Sequence, residues 1–142
     1  MRKPVKKVFL SHTHTDEKAA REISDSLYKA GFEVWDPARE ILPGSNFADS
    51  LQDALNTSDA MVVLLTPDSA KSPYQQREIE FALGTERFSG RLVPVLLRET
   101  KDYPWIFEKL QMVREPNARA AGRAVAEILS QTAHAPETSR SR

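Results

Sequence analysis

The sequence predicts an α/β domain, a doubly wound five-stranded parallel sheet with helices on both faces. Three observations point there. Ala60-Met61-Val62-Val63-Leu64-Leu65 is apolar at every position rather than at alternate ones, as a strand covered on both faces requires. Strand-like and helix-like segments alternate along the chain, the order produced by βα units joined through right-handed crossovers. Finally, 142 residues with 40% hydrophobic and 28% charged content suit one domain with its own core.

Each element has its own signal. Val5 to Ser11 closes in Val-Phe-Leu and reads as the first strand, with Lys6 and Lys7 at its entrance. Thr13 or Thr15 can cap a helix in which Ala19, Ala20, Ile23, Leu27 and Ala30 recur in steps that mark one face, and Gly31 supplies the stop. Phe32 to Trp35 makes a second strand, ended by Asp36-Pro37. The segment from Asp36 to Asn46 holds no period and contains Pro43-Gly44, so it is expected to be a loop, long enough to suggest function. Phe47, Leu51, Ala54 and Leu55 define a short helix over 47–56. After the central strand, Ser72 can cap and Pro73 can open a helix that buries Ile79, Ala82 and Leu83, with Gly84 as its stop. A fourth strand spans Arg91 to Leu97, and Pro94 inside it requires a bulge or an acceptor-only position. A helical turn is expected over 103–109, an edge strand over Leu110 to Val113, and a final helix from Ala118 to Ser130 that buries Ala121, Val125, Ile128 and Leu129. The domain is drawn at 1–131, and the polar residues 132–142 read as a disordered tail or a truncated linker. The whole corresponds to a flavodoxin-like strand order.

Composition excludes several classes of function. Lysine plus arginine equals aspartate plus glutamate at 20 each, so no global field draws the chain to nucleic acid or to anionic lipid. There is no cysteine, which removes disulfides, thiolate catalysis and cysteine metal sites. No apolar run approaches the roughly 20 residues of a membrane span, and Met1-Arg2-Lys3-Pro4 does not open a signal peptide. The expected compartment is the cytoplasm.

In an open α/β sheet ligands bind at the carboxyl ends of the strands, which directs attention to Tyr74, Glu78 and Glu80 on the helix after the central strand. Glu78 follows Tyr74 by one turn and shares its face, whereas Glu80 points about 200° away, so the two glutamates cannot work as a carboxylate pair. The run Ser11-His12-Thr13-His14-Thr15-Asp16 looks like the start of a binuclear metallohydrolase motif. However, Glu17 stands at the next ligand position and the only other histidine is His134, so the expectation is no metal. Five glycines scattered singly form neither a GxGxxG nor a GxxxxGK[ST] phosphate loop.

Four segments then match a family in order: Phe9-Leu10-Ser11 after the first strand, Arg39-Glu40-Ile41-Leu42-Pro43-Gly44 in the long loop, Leu64-Leu65-Thr66-Pro67 after the central strand, and Ser72 to Glu78. Together they resemble the Toll/interleukin receptor (TIR) domain over roughly residues 5 to 130. Here His12 stands where the family has a tyrosine, and Tyr74-Gln75-Gln76-Arg77-Glu78 stands for its Trp-Cys-x-x-Glu.

The resemblance implies one of two activities. Bacterial, plant and some animal TIR domains cleave NAD⁺ at the nicotinamide–ribose bond, in defence signalling that includes antiphage defence, whereas many receptor and adaptor members only assemble. For the first, it implies Glu78 as the catalytic residue, Ser11, His12, Trp35 and Tyr74 as substrate contacts, NAD⁺ as substrate and no further cofactor. It also implies homotypic assembly through Arg39, Glu40, Ile41, Pro43 and Gly44. A single carboxylate would suffice, because nicotinamide leaves as a neutral molecule from a cationic precursor and needs no general acid. The expectation is therefore an NAD⁺ glycohydrolase, yielding ADP-ribose or a cyclic isomer. A non-catalytic scaffold is the alternative, and a metallohydrolase a remote third.

Overall fold

The computed structural model of the protein describes residues 3–40 and 46–132. Five parallel strands lie in the order β2-β1-β3-β4-β5, with β1 at Lys7–Ser11, β2 at Glu33–Trp35, β3 at Ala60–Leu65, β4 at Leu92–Leu96 and β5 at Val113–Arg114. This is the flavodoxin-like arrangement expected from the alternation of elements. The helices are α1 (Glu17–Lys29), α2 (Pro37–Glu40), α3 (Phe47–Thr57), α4 (Pro73–Leu83) and α5 (Ala118–Thr132).

The sheet sorts the uninterrupted apolar run of β3 by parity. Ala60, Val62 and Leu64 join Val8 and Leu10 of β1 in a core shared with Ile23 and Leu27 of α1 and Ala121, Val125 and Leu129 of α5. Met61, Val63 and Leu65 turn the other way with Phe9, into a second core with Ala54 and Leu55 of α3 and Ile79 and Ala82 of α4. Each fully buried Val, Leu or Ile contributes about 1.5–3 kcal/mol, so the two layers carry the fold. Ser11 shares the parity of Phe9 on β1 and therefore lies on the α3/α4 side, the side that carries Glu78.

The expected Thr13 or Thr15 cap of α1 does not form: the helix starts after Asp16 without a side-chain cap, because the Thr13 hydroxyl bonds the Asp16 carboxylate instead. Other helix ends follow their sequence signals. Ser72 accepts a hydrogen bond from the Gln75 amide and Pro73 opens α4, while Asn46 accepts from the Asp49 amide to start α3. At the end of α1, Gly31 takes φ +98° as its N–H donates to Tyr28 O and that of Phe32 to Leu27 O, the paired bonds of a Schellman ending. Gly122 serves a different purpose. A Cβ there would lie 2.5 Å from the Ser26 Cβ, so only glycine lets α5 approach α1 this closely.

Pro94 stays within a regular strand. Met61 N–H donates to Arg91 O and Leu97 N–H to Leu65 O, so odd-numbered residues of β4 face β3, and Pro94 turns its missing donor toward β5. Paired residues on that side begin only at Val95, so no ladder bond is lost.

Several boundaries differ from expectation. Residues 37–40 are a helical turn rather than loop, because Asp36 accepts from the Ala38 amide at 3.0 Å and Pro37 fits the first helical position. Arg39 and Glu40 are exposed on that turn, and Ile41, Pro43 and Gly44 lie outside the described residues. Ala30 and Leu83 are exposed, since each falls at a helix end that has already run past the sheet. The edge strand is Val113–Arg114, sharing only Val113 with the expected Leu110 to Val113, and Trp105–Lys109 is a 3-10 turn. The last helix runs to Thr132, and the tail expected beyond it lies outside the described residues from 133 on. Among the described residues, no helix is long and apolar enough to cross a membrane.

Candidate functional site

At the carboxyl ends of β1, β2 and β3 a set of polar side chains is buried together. Glu78, in the middle of α4, is only 4% exposed, and its Oε1 accepts a hydrogen bond from the Ser11 hydroxyl at 2.7 Å. Burying a carboxylate is costly, and that cost pushes the Glu78 carboxyl up to about 7. The Ser11 hydrogen bond and the charge of His12 oppose the rise, and Asp36 adds to it. Burial therefore favours the protonated form of Glu78 more than an exposed carboxyl would. Glu80 is exposed, on the far side of the helix.

Beside this pair, His12 Nε2 lies 2.7 Å from Asp36 Oδ1 and His12 Nδ1 lies 2.7 Å from Thr13 O. Both side chains are covered, at 3% and 1% exposure. Burial alone would pull the imidazole down, but the Asp36 hydrogen bond and charge, the Thr13 carbonyl and the charge of Glu78 outweigh it, so its pKa ends above 6.5.

Gln75, one turn before Glu78, ties these ends together. Its amide nitrogen donates to Ser11 O at 3.2 Å and Leu64 O at 2.9 Å, bridging β1 and β3 where the strands stop. A second buried group lies on the next loop. Asp16 Oδ2 accepts from the hydroxyls of Thr13 at 3.0 Å and Thr66 at 2.8 Å, and its Oδ1 faces Arg98 at 3.3 Å. These bonds fix the turn after β1 that carries His12.

The aromatic residues are arranged unequally. Trp35 is half-buried and stacks on Phe9 with ring centroids 5.2 Å apart. Tyr74 is 58% exposed and meets the Phe47 ring edge-on at 5.4 Å. Tyr74 and Glu78 stay one turn apart on α4, but the first is exposed and the second buried. The buried residues of α4 are Gln75, Glu78, Ile79 and Ala82, and Tyr74 lies in its exposed first turn.

The model of the TIR domain family matches residues 8–129. This chain belongs to the TIR domain family. At 32% identity over 96 residues it is similar to a stimulator of interferon genes protein of Magallana gigas, covering 66% of this chain and 23% of that protein. At 24% identity, also over 96 residues, it is similar to the 2′ cyclic ADP-D-ribose synthase BtTIR of Bacteroides thetaiotaomicron, covering 66% of this chain and 33% of that one. The chain thus spans a third or less of the length of these curated relatives. Among solved structures, a metazoan TIR-STING receptor from C. gigas in complex with 2′,3′-cGAMP superposes with a TM-score of 0.75 at 27% identity, over 92% of this chain and 41% of that one.

Within this TIR domain, the residues expected around Glu78 are brought together unevenly. Ser11 touches it, and His12 acts on it through charge. Trp35 lies at the end of the strand that also delivers Asp36, and Tyr74 stands at the rim. Sequence reasoning overlooked Asp36, Gln75 and the Asp16–Thr66–Arg98 group. For Asp36 a signal existed, since Asp-Pro directly after a strand is a helix-capping pair that turns its carboxylate inward.

Proposed function

We propose that this TIR domain cleaves NAD⁺ at the nicotinamide–ribose bond, with Glu78 as its catalytic residue. One observation carries the reading, a buried glutamate poised near neutral pH at the carboxyl edge of a parallel sheet. The similarity to a 2′ cyclic ADP-D-ribose synthase adds support. In the reaction the C1′–N bond breaks and its electron pair leaves with nicotinamide, which becomes neutral. The ribosyl cation left behind is stabilised by the Glu78 carboxylate across a site from which water is largely excluded. Water then adds to C1′ and loses a proton to give ADP-ribose, or a hydroxyl of the same molecule adds and gives a cyclic isomer.

Trp35 and Tyr74 offer ring faces to the nicotinamide or the adenine, and the substrate is the only small molecule the chemistry requires. We place the reaction in defence signalling, in line with the kinship to a stimulator of interferon genes protein. Assembly completes the proposal. Arg39 and Glu40 are exposed on the turn capped by Asp36, where a neighbouring copy could meet them. A head-to-tail contact of that kind does not close by itself and can propagate into filaments. The test is nicotinamide release from NAD⁺ over a hundredfold range of protein concentration. Specific activity is expected to rise with concentration, and to lose that rise in Arg39→Glu. Release at constant specific activity would indicate a self-sufficient monomer, and no release at any concentration would leave the scaffold reading.

A further inference from the structure

The two ring nitrogens of His12 both face oxygen atoms placed to accept. Nδ1 lies 2.7 Å from the Thr13 carbonyl, which cannot donate, so Nδ1 carries a proton. Nε2 lies 2.7 Å from Asp36 Oδ1, and that same oxygen accepts the Ala38 N–H at 3.0 Å. Aspartic acid is ordinarily a far stronger acid than an imidazolium, and a carboxylic hydroxyl would be a poor acceptor for the Ala38 amide, so Oδ1 is the ionised oxygen and Nε2 donates as well. With both nitrogens donating, the ring is an imidazolium. Its side chain is 3% exposed, so it cannot turn to exchange its proton with a substrate without breaking both bonds.

We propose that His12 acts as a fixed cation: a buried imidazolium, held by Asp36 and Thr13, that supports the Glu78 carboxylate through its charge and takes no part in proton transfer. His12 is thus a positioning residue for the proposed reaction, and this inference deepens the reading of Glu78 given above. The charges acting on Glu78 come from two packed elements, His12 at the end of β1 and Asp36 at the end of β2. They have opposite signs, and that of His12 is the stronger influence. On α4 itself the neighbouring Arg77 and Glu80 are exposed. Ser11 contributes the hydrogen bond and no charge. Removing the imidazolium would therefore leave Glu78 facing the Asp36 anion alone, and its carboxyl would hold its proton to higher pH.

The experiment is an NMR titration of the full chain without NAD⁺, so its outcome is independent of whether the protein turns NAD⁺ over. Long-range proton–nitrogen correlation reads the protonation of both His12 nitrogens, and side-chain carbon shifts read Glu78. In the wild type at pH 7 both nitrogens are expected to be protonated. A neutral, single-tautomer ring at pH 7 in the folded wild type overturns the inference, and this measurement needs no variant to fold. In His12→Gln the Glu78 midpoint is expected to move up, and an unchanged or lower midpoint overturns it. Activity supplies a second readout. The acid limb of kcat/KM in His12→Gln should move to higher pH, with the rate at pH 9 recovering to within about tenfold of wild type. Loss of rate at every pH, with the limb in place, would overturn the inference, since His12 would then act on the substrate directly and not through Glu78.

Discussion

Replacing Glu78 by glutamine should stabilise the protein, and chiefly at high pH. The folded state raises this carboxyl from the ordinary 4.5 to about 7, so folded protein binds its proton more tightly than the unfolded chain does. The favourable term is fully present below about pH 4.5 and is lost as pH rises through about 7. Above pH 7 the wild type carries an ionised, buried Glu78 at a cost of about 3 kcal/mol. Glutamine has nearly the same volume, can still accept from Ser11 and has no charge to bury. Urea unfolding at pH 5 and pH 8.5 measures the difference. At pH 5 the variant should be more stable by no more than about 1 kcal/mol. At pH 8.5 the variant should be more stable by up to ~3 kcal/mol, or about 10 °C in melting temperature. Equal stability at both values, or a variant weakened at pH 8.5, would mean that Glu78 is not an ionisable group held at a cost.

Other outcomes follow from the same geometry. For the wild type, kcat/KM should climb as pH passes through about 7, following ionisation of Glu78, and Ser11→Ala should move that limb upward by removing the donor that favours the anion. Gly122→Ala should destabilise by about 1–2 kcal/mol, because crowding against Ser26 outweighs the gain in helix propensity, and adding Ser26→Gly should recover most of the loss in the urea midpoint.

Much of the fold was legible in the sequence because it rests on strong local signals. The run from Ala60 to Leu65 could only be a strand covered on both faces, and Ser72-Pro73 and Gly31 marked helix ends by mechanisms that tertiary contacts rarely override. What could not be read depended on neighbours distant in sequence. Glu78 stands out by its place on the helix after the central strand, but its burial beside the exposed Arg77 comes only from the seating of α4 over Ser11. Leu83 fits the apolar period, but α4 has passed the sheet by then. The turn at 37–40 is too short to show a period and exists because Asp36 caps it. Asp36 itself gained a role only when β2 placed it against His12, a contact between residues 24 apart in the chain.

The central claim is that the buried Glu78 carboxylate cleaves the nicotinamide–ribose bond, and the direct measurement is nicotinamide release from NAD⁺ by wild type and Glu78→Gln, side by side at pH 8 and high protein concentration. The account predicts release by the wild type and a loss of more than a hundredfold in the variant, which the urea experiment would show to be folded, while Glu80→Gln stays close to wild type. A variant that kept more than about a tenth of the rate would have lost less than 1.4 kcal/mol of transition-state stabilisation, and that result would contradict the assignment.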